Sequence, residues 1–459
     1  MNALITRSDA DRGTPLILVD TAHFDTVRER LTASQQSWLS ASGFEPQPGR
    51  TALLPGDDGT LAAALVAIDT AEPVWALSAL PWQLPAGNYA LADGPLKLDP
   101  TLAALGWALG SYRFTRYRAP SEREVAKLIV DASVHEEVTP LAAAAAQVRD
   151  LVNTPAEDMG PEQVADAIQA MGKEFGADVR QWVGDELLEN NFPTIHAVGR
   201  ASHRAPRLVE LSWGKESDPR LTLVGKGVCF DTGGLDLKPS AGMRWMKKDM
   251  GGAAHAMGLA RLVMSAGLPV RLTLLIPTVE NSVAGAAMRP GDVIRTRAGH
   301  TVEVDNTDAE GRLILCDALA YGGESQPDLM LDFATLTGAA RVALGPDLPV
   351  LFTNRDELSE AAMGAARGVH DPIWPLPLWQ PYRRMLDSYL ADFANSGGSR
   401  HAGAITAALY LERFVPEATP WIHVDVYAWN DADRPGRPRG GEAQSLRAFF
   451  AFLKQRYAA

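Results

Sequence analysis

The 459-residue chain is 46% hydrophobic and 22% charged, an ordinary globular composition on a length that exceeds one hydrophobic core, so two domains are expected. Its formal net charge of -13 argues against nucleic acid or an anionic membrane as partner and leaves a metal cation or a free amine as plausible ligands. Cys229 and Cys316, far from any CxxC spacing, exclude a disulfide framework and a thiolate zinc site.

The N-terminal stretch MNALITRSDADRG has no apolar leader core, and no apolar run approaches the roughly 20 residues of a membrane span. A cytoplasmic protein is expected. Residues 15–20 (PLILVD) read as a strand and 26–43 as an amphipathic helix. TALLPGDDGTLAAALVAI reads as two strands joined at Asp57-Asp58-Gly59, a hairpin turn signal. A helix over 99–113 and a strand over 125–131 complete a small α/β unit, residues 1–134, without a cluster of reactive side chains. Its expected role is scaffolding or oligomerisation.

A second domain, 135–459, opens with the alanine-rich helix LAAAAAQVRDLV after Thr139-Pro140. Strands are expected near 178–182, 207–213, 221–225, 270–276, 328–333 and 421–426, and helices near 161–175, 250–266, 310–322, 402–415 and 443–457. This alternation predicts a mostly parallel central sheet flanked by helices.

Two stretches carry the chemistry. In LTLVGKGVCFDTGGLDLKPSAGMRWMKKDMGG, residues 221–252, a β-branched strand breaks at Gly225 and is followed by Lys226, Asp231, Lys238 and Asp249. In NTDAEGRL, residues 306–313, Asp308, Glu310 and Arg312 alternate just before a helical pattern. Ligands of parallel sheets sit outside the carboxyl ends of the strands, where these residues fall. Four carboxylates converging there would repel one another, and divalent cations relieve that best. Two metals about 3.5–4 Å apart would activate a water and polarise a carbonyl. Taken singly, each residue has a plainer reading: Asp308 as a helix cap, Glu310 as a dipole partner, Lys226 as a loop lysine. His255 and His423 read as structural, VGKGV lacks the rest of a nucleotide loop, and no GxSxG elbow or HExxH pair is present.

Together these stretches resemble the leucyl aminopeptidase (cytosol aminopeptidase, M17) family of dizinc metallopeptidases. NTDAEGRL matches the family signature in full, VGKGVCFDTGGLDLKPS matches closely, and NTPAEDMGP, KKDMGGAA, ATLTGA and GAITAALYLERF extend the likeness over residues 150–426. The resemblance implies an enzyme that removes the N-terminal residue of peptides through a two-metal-activated water. It implies one metal on Asp231, Asp308 and Glu310 and a second on Lys226, Asp231, Asp249 and Glu310. It also implies Lys238 as electrostatic catalyst and Arg312 as holder of a bicarbonate base. Met246, Thr335, Leu336 and Gly338 match substrate-binding positions. The metals would be Zn²⁺ or Mn²⁺, with Mg²⁺ or Co²⁺ as further candidates, and the assembly a homohexamer.

One departure stands out: Tyr427-Ala428-Trp429-Asn430 replaces the family's run of small residues, so a leucine preference does not carry over. Lys247-Lys248 reads as tolerated variation, with Lys248 placed to tune the second metal site. The rival readings are a dipeptidase-like member of narrow preference, such as the Cys-Gly type, and a nucleic-acid-binding or structural protein on the same fold. A two-metal amidase or phosphatase is a third.

Overall fold

Apolar strands alternating with helices build two large sheets and two small ones among the described residues of this computed structural model, which are 3–8, 13–118 and 122–458. One unit comprises Met1–Ala146 with Ala432–Arg439, and the other Gln147–Asp431 with Gly440–Ala459.

The first unit holds a six-stranded sheet in the order Leu4–Thr6, Lys127–Val130, Asn88–Leu91, Thr14–Val19, Leu61–Ala67, Thr51–Pro55. Its strands pair in parallel except for the last two, which form the expected hairpin. Asp58 closes that hairpin by accepting from the Thr60 amide at 3.0 Å and hydroxyl at 2.6 Å. Leu54, Leu65, Val19, Val27 and Leu39 form a core under it. The helix expected over 26–43 is two, Phe24–Arg28 and Ala33–Ala41. The break is chemical: Thr32 and Gln35 form a capping box, each side chain accepting from the other's amide at 3.2 Å, which restarts the helix.

The alanine-rich helix begins before Pro140. It spans Ala132–Asn153 with Pro140 inside it, at the cost of one backbone hydrogen bond.

The second unit holds a nine-stranded sheet. Four neighbouring strands at its centre, Trp421–Asp425, Leu329–Ala334, Arg220–Gly225 and Arg271–Asn281, run parallel. Antiparallel pairings flank them: Val350–Thr353 on one side, Arg207–Trp213 and Asp178–Val183 on the other. Leu221, Leu223, Leu331 and Phe333 are buried, as central parallel strands require, and helices Gly251–Ser265 and Glu310–Glu324 pack on this sheet. The expected mixed α/β architecture with a mostly parallel catalytic-side sheet is observed.

After Gly225 the chain pauses for one residue, Lys226, and resumes as a second strand, Gly227–Asp231, paired in parallel with the far end of Arg271–Asn281. Lys226 therefore sits at a junction of strands, held by its amide donating to the Phe333 carbonyl at 3.0 Å, and Asp231 is carried to the end of the extension.

Candidate metal centre

The carboxyl ends of the central strands bring the two sequence stretches together. Thr307 ties them: its hydroxyl donates to the Gly233 carbonyl at 2.6 Å and its amide to Asp236 at 2.7 Å. Gly233 turns at φ +87°, and an added Cβ would lie 2.4 Å from the Asp236 carbonyl oxygen, so this loop tolerates no side chain there. From the other side, Asn395 accepts from the Asp305 and Asn306 amides at 2.9 and 3.2 Å and donates to the Asn306 carbonyl at 2.8 Å. Asn306 caps the 3-10 turn Thr307–Ala309 by accepting from the Asp308 amide at 2.8 Å. Asp308 is thereby left free of capping duty.

Asp231, Asp308 and Glu310 each offer an oxygen within 4.8 Å of the others. Asp249 joins them through Lys226, whose Nζ lies 2.7 Å from Asp249 Oδ2 and 2.8 Å from Glu310 Oε1. Lys238 Nζ lies 2.8 Å from Asp231 Oδ2 and also contacts Asp308 Oδ1. The other oxygen of Asp231 is anchored, accepting from the Gly233 amide and the Asn281 side chain, both at 2.8 Å. Thr335 anchors Asp249 by donating to Oδ1 at 2.7 Å. Gly311 makes room for Lys226: a Cβ there would lie 2.6 Å from Lys226 Cε.

The electrostatics follow from burial. Glu310, 1% exposed, is pushed well above the usual carboxylate range by burial and by Asp231. Asp308 is pushed up to about 6 for the same two reasons. Burial alone would lower the pKa of Lys226, but Asp249, Glu310 and Asp231 override it and hold the ammonium charged. Lys238 is likewise raised against its burial, first by Asp231 and then by Glu310. The cluster is thus a set of carboxylates with two ammonium ions as its cations.

A divalent metal fits this donor set. Asp249 Oδ2, Asp308 Oδ1 and both Glu310 oxygens are buried without an aligned hydrogen bond, and the cations that these residues meet are the Lys226 and Lys238 ammonium groups. Such oxygens cost several kcal/mol to bury unless a cation meets them.

Of the expected catalytic, metal-binding and substrate-binding residues, all except Glu310 and Arg312 line one cleft of about 590 Å³: Lys226, Asp231, Lys238, Met246, Asp249, Asp308, Thr335, Leu336 and Gly338. Glu310 lies behind the lining, against Lys226. Arg312 is buried one helical step on; its Nη1 donates to the Asn395 carbonyl at 2.5 Å, and among the described residues it has no carboxylate ion pair. Burial lowers its pKa.

The cleft also has a wall that the sequence pattern did not assign: Trp245, Lys248, Arg341, Asp425, Tyr427 and Asp431. Tyr427 lines it directly, whereas Trp429 is buried behind, its ring 5.4 Å from that of Trp245. The departure at 427–430 and the Lys247-Lys248 pair were the signals for this wall. The histidines are structural. His255 contacts the Gly251 carbonyl through Nδ1 at 2.6 Å and accepts from the Gln444 amide at 2.9 Å, and His423 pairs with buried Asp332 at 2.6 Å. Both cysteines are buried, and burial pushes the Cys229 thiol up to about 12.

Comparison with known proteins agrees with this geometry. Residues 146–450 match the model of the cytosol aminopeptidase family, catalytic domain, and residues 14–131 match that of the M17 aminopeptidase, N-terminal domain. A protein of Syntrophotalea carbinolica named "Probable cytosol aminopeptidase" is 39% identical over 390 residues, 80% of this chain and 78% of that protein. The crystal structure of a cytosol aminopeptidase from Coxiella burnetii is 47% identical with a TM-score of 0.96, each chain covered in full. The bottromycin maturation enzyme BotP in complex with Mn is 34% identical with a TM-score of 0.87, over 96% of this chain and 99% of that one.

Proposed function

This chain belongs to the cytosol aminopeptidase family, and from that premise we propose that it is a two-metal aminopeptidase removing the first residue of peptides that have a free N-terminus. The observation that carries this is the set of buried carboxylate oxygens of Asp249, Asp308 and Glu310 without aligned donors, at the ends of central strands and beside a cleft of peptide-binding size.

In this reading Asp231, Asp308 with its backbone carbonyl, and Glu310 would hold one divalent cation, and Lys226, Asp231, Asp249 and Glu310 would hold the second. Zn²⁺ and Mn²⁺ are the leading candidates, with Mg²⁺ and Co²⁺ behind them. When bound, the cations supply Lewis acidity toward the scissile carbonyl and a water of lowered pKa. The chain does the rest. Lys226 now occupies, as an ammonium, the place between Asp249 and Glu310 where positive charge is needed. To ligate a cation there Lys226 would have to lose that proton to solvent, which a neighbouring divalent charge would favour. Gly233 and Asn281 fix one oxygen of Asp231 and leave the other facing Lys238. Lys238, held charged by its acidic neighbours, donates to the oxygen that becomes negative as the carbonyl is attacked. Arg312, without an ion-pair partner among the described residues, holds bicarbonate as the base. Met246, Thr335 and Gly338 shape the pocket for the first side chain, and the backbone at Leu336 aligns the peptide.

The division of labour between domains, with residues 1–134 as scaffold and 135–459 as enzyme, belongs to this reading. So do a homohexameric assembly and a cytoplasmic setting. No described helix is long and apolar enough to cross a membrane. The test is turnover of amino-acid p-nitroanilides beside their N-acetyl counterparts, with Mn²⁺ or Zn²⁺ and after chelation. Cleavage limited to free amines and lost on chelation is expected; equal cleavage of acetylated substrates rules the reading out.

A further inference from the structure

Resting on that reading, we propose that the wall beside the acidic centre is a subsite for a carboxylate in the substrate, built on Lys248, which selects peptides beginning with glutamate or aspartate.

Three lysines line this cleft, and they differ in company. Lys226 and Lys238 each pair with two carboxylates. Lys248 is 7% exposed, yet among the described residues no carboxylate lies within ion-pair distance of it and nothing accepts a hydrogen bond from its ammonium. Its contact is with a ring: Nζ lies 4.9 Å from the centroid of Tyr427. Arg341 lies 4.6 Å from the same ring and lines the same cleft. An ammonium that faces a narrow cleft without a counter-ion is partly desolvated, and an aromatic face repays only part of that cost.

The acids near Lys248, Asp249 and Asp425, attract its charge, and among the described residues none pairs with it. Asp425 is committed to its own loop, accepting from the Leu336 amide at 3.0 Å, the Thr337 amide at 3.3 Å and the Thr337 hydroxyl at 2.7 Å. Asp431 is exposed and accepts the Tyr427 hydroxyl at 3.0 Å. Two cations therefore face the cleft across one tyrosine, and what completes them is an anion brought by the substrate. Trp245 and Tyr427 provide apolar flanks for the methylene stem that carries it.

Position in the chain says which part of the substrate. Lys248 directly precedes Asp249, which shares Lys226 with Glu310, so the subsite adjoins the second proposed metal position, and a substrate amine bound at that cation would bring the first side chain beside Lys248. The side chain of the first residue branches from the carbon bearing that amine. A C-terminal carboxylate of a short peptide has the same chemistry, and substrates separate the two sources.

The experiment compares kcat/KM for Glu-, Gln-, Asp- and Leu-p-nitroanilide, none of which has a C-terminal carboxylate, and for Leu-Gly against Leu-Gly-amide. Wild type, Lys248→Met and Lys248→Arg are each assayed with Mn²⁺. We expect Glu to exceed its isostere Gln by on the order of tenfold in the wild type. That ratio falls to near one in Lys248→Met and recovers in part in Lys248→Arg. A wild-type ratio near or below one overturns the proposal without needing a variant. So does a ratio that Lys248→Met leaves unchanged. Should Lys248 govern only the Leu-Gly to Leu-Gly-amide ratio, the selection of an acidic first residue is overturned. Cleavage of Leu-p-nitroanilide with refusal of acidic substrates rejects this subsite and leaves the aminopeptidase standing, whereas no cleavage of any free-amine substrate rejects both.

Discussion

Both large sheets of this chain end strands in aspartate, with opposite results. In the first unit Asp20, Asp69 and Asp131 follow the strands Thr14–Val19, Leu61–Ala67 and Lys127–Val130 within two residues. Each settles its charge locally. Asp20 accepts from the His23 amide at 2.8 Å and Asp69 from the Ala71 amide at 2.8 Å. Asp131 meets Arg7 at 3.1 Å, with side chains 70% and 55% exposed. Such surface pairs are worth about 0–1 kcal/mol. In the second unit Asp231, Asp249, Asp308 and Glu310 converge, and the last three keep buried oxygens without an aligned hydrogen bond. Residue type and position at a strand end are shared; shared burial is what turns carboxylates into a site.

Substitutions can break or sharpen this contrast. The largest effect is expected for Asp231→Asn, which removes an oxygen charge common to both proposed metal positions: kcat/KM falls roughly a thousandfold or more, and metal content measured by mass spectrometry falls with it. Asp131→Ala in the first unit changes neither. Lys238→Ala comes next, lowering kcat by about 10²–10³ with metal content retained, as loss of one donor to a developing oxyanion does. Gly311→Ala is smaller: the added methyl displaces the Lys226 stem, so metal affinity by titration drops and the melting transition records about 1–3 kcal/mol of overpacking. Leu65→Ala, in the first unit's core, costs about 2–5 kcal/mol in denaturant unfolding of that unit. Activity per folded molecule stays unchanged.

The same contrast explains what was legible. Strand Arg220–Gly225 and the loop 306–313 stand out because apolar runs, glycines and carboxylates follow one another at short range, and every expected ligand falls in the cluster. The hidden features depend on distant partners. Nothing local marks Thr307 or Asn395 as the fasteners of the two loops, since a threonine or asparagine in a loop looks the same whether it bonds a neighbour or residues some 70–90 positions away. Strand Gly227–Asp231 escaped because Lys226 interrupts the apolar run. The return of Ala432–Arg439 to the first unit has no sequence signal at all. The restart at Thr32 did have one, the Thr-x-x-Gln capping pattern, overridden by helical periodicity across it. Lys248 reads as variation in the sequence because its meaning lies in what is missing around it.

The central claim, that the buried carboxylates hold two cations which make the cleft an aminopeptidase, is tested most directly by titrating the metal-free protein with Mn²⁺ while following Leu-p-nitroanilide and N-acetyl-Leu-p-nitroanilide hydrolysis. The account predicts activity that saturates at two ions per chain and is confined to the free amine. Full activity at one ion or none, or equal hydrolysis of the acetylated substrate, contradicts it.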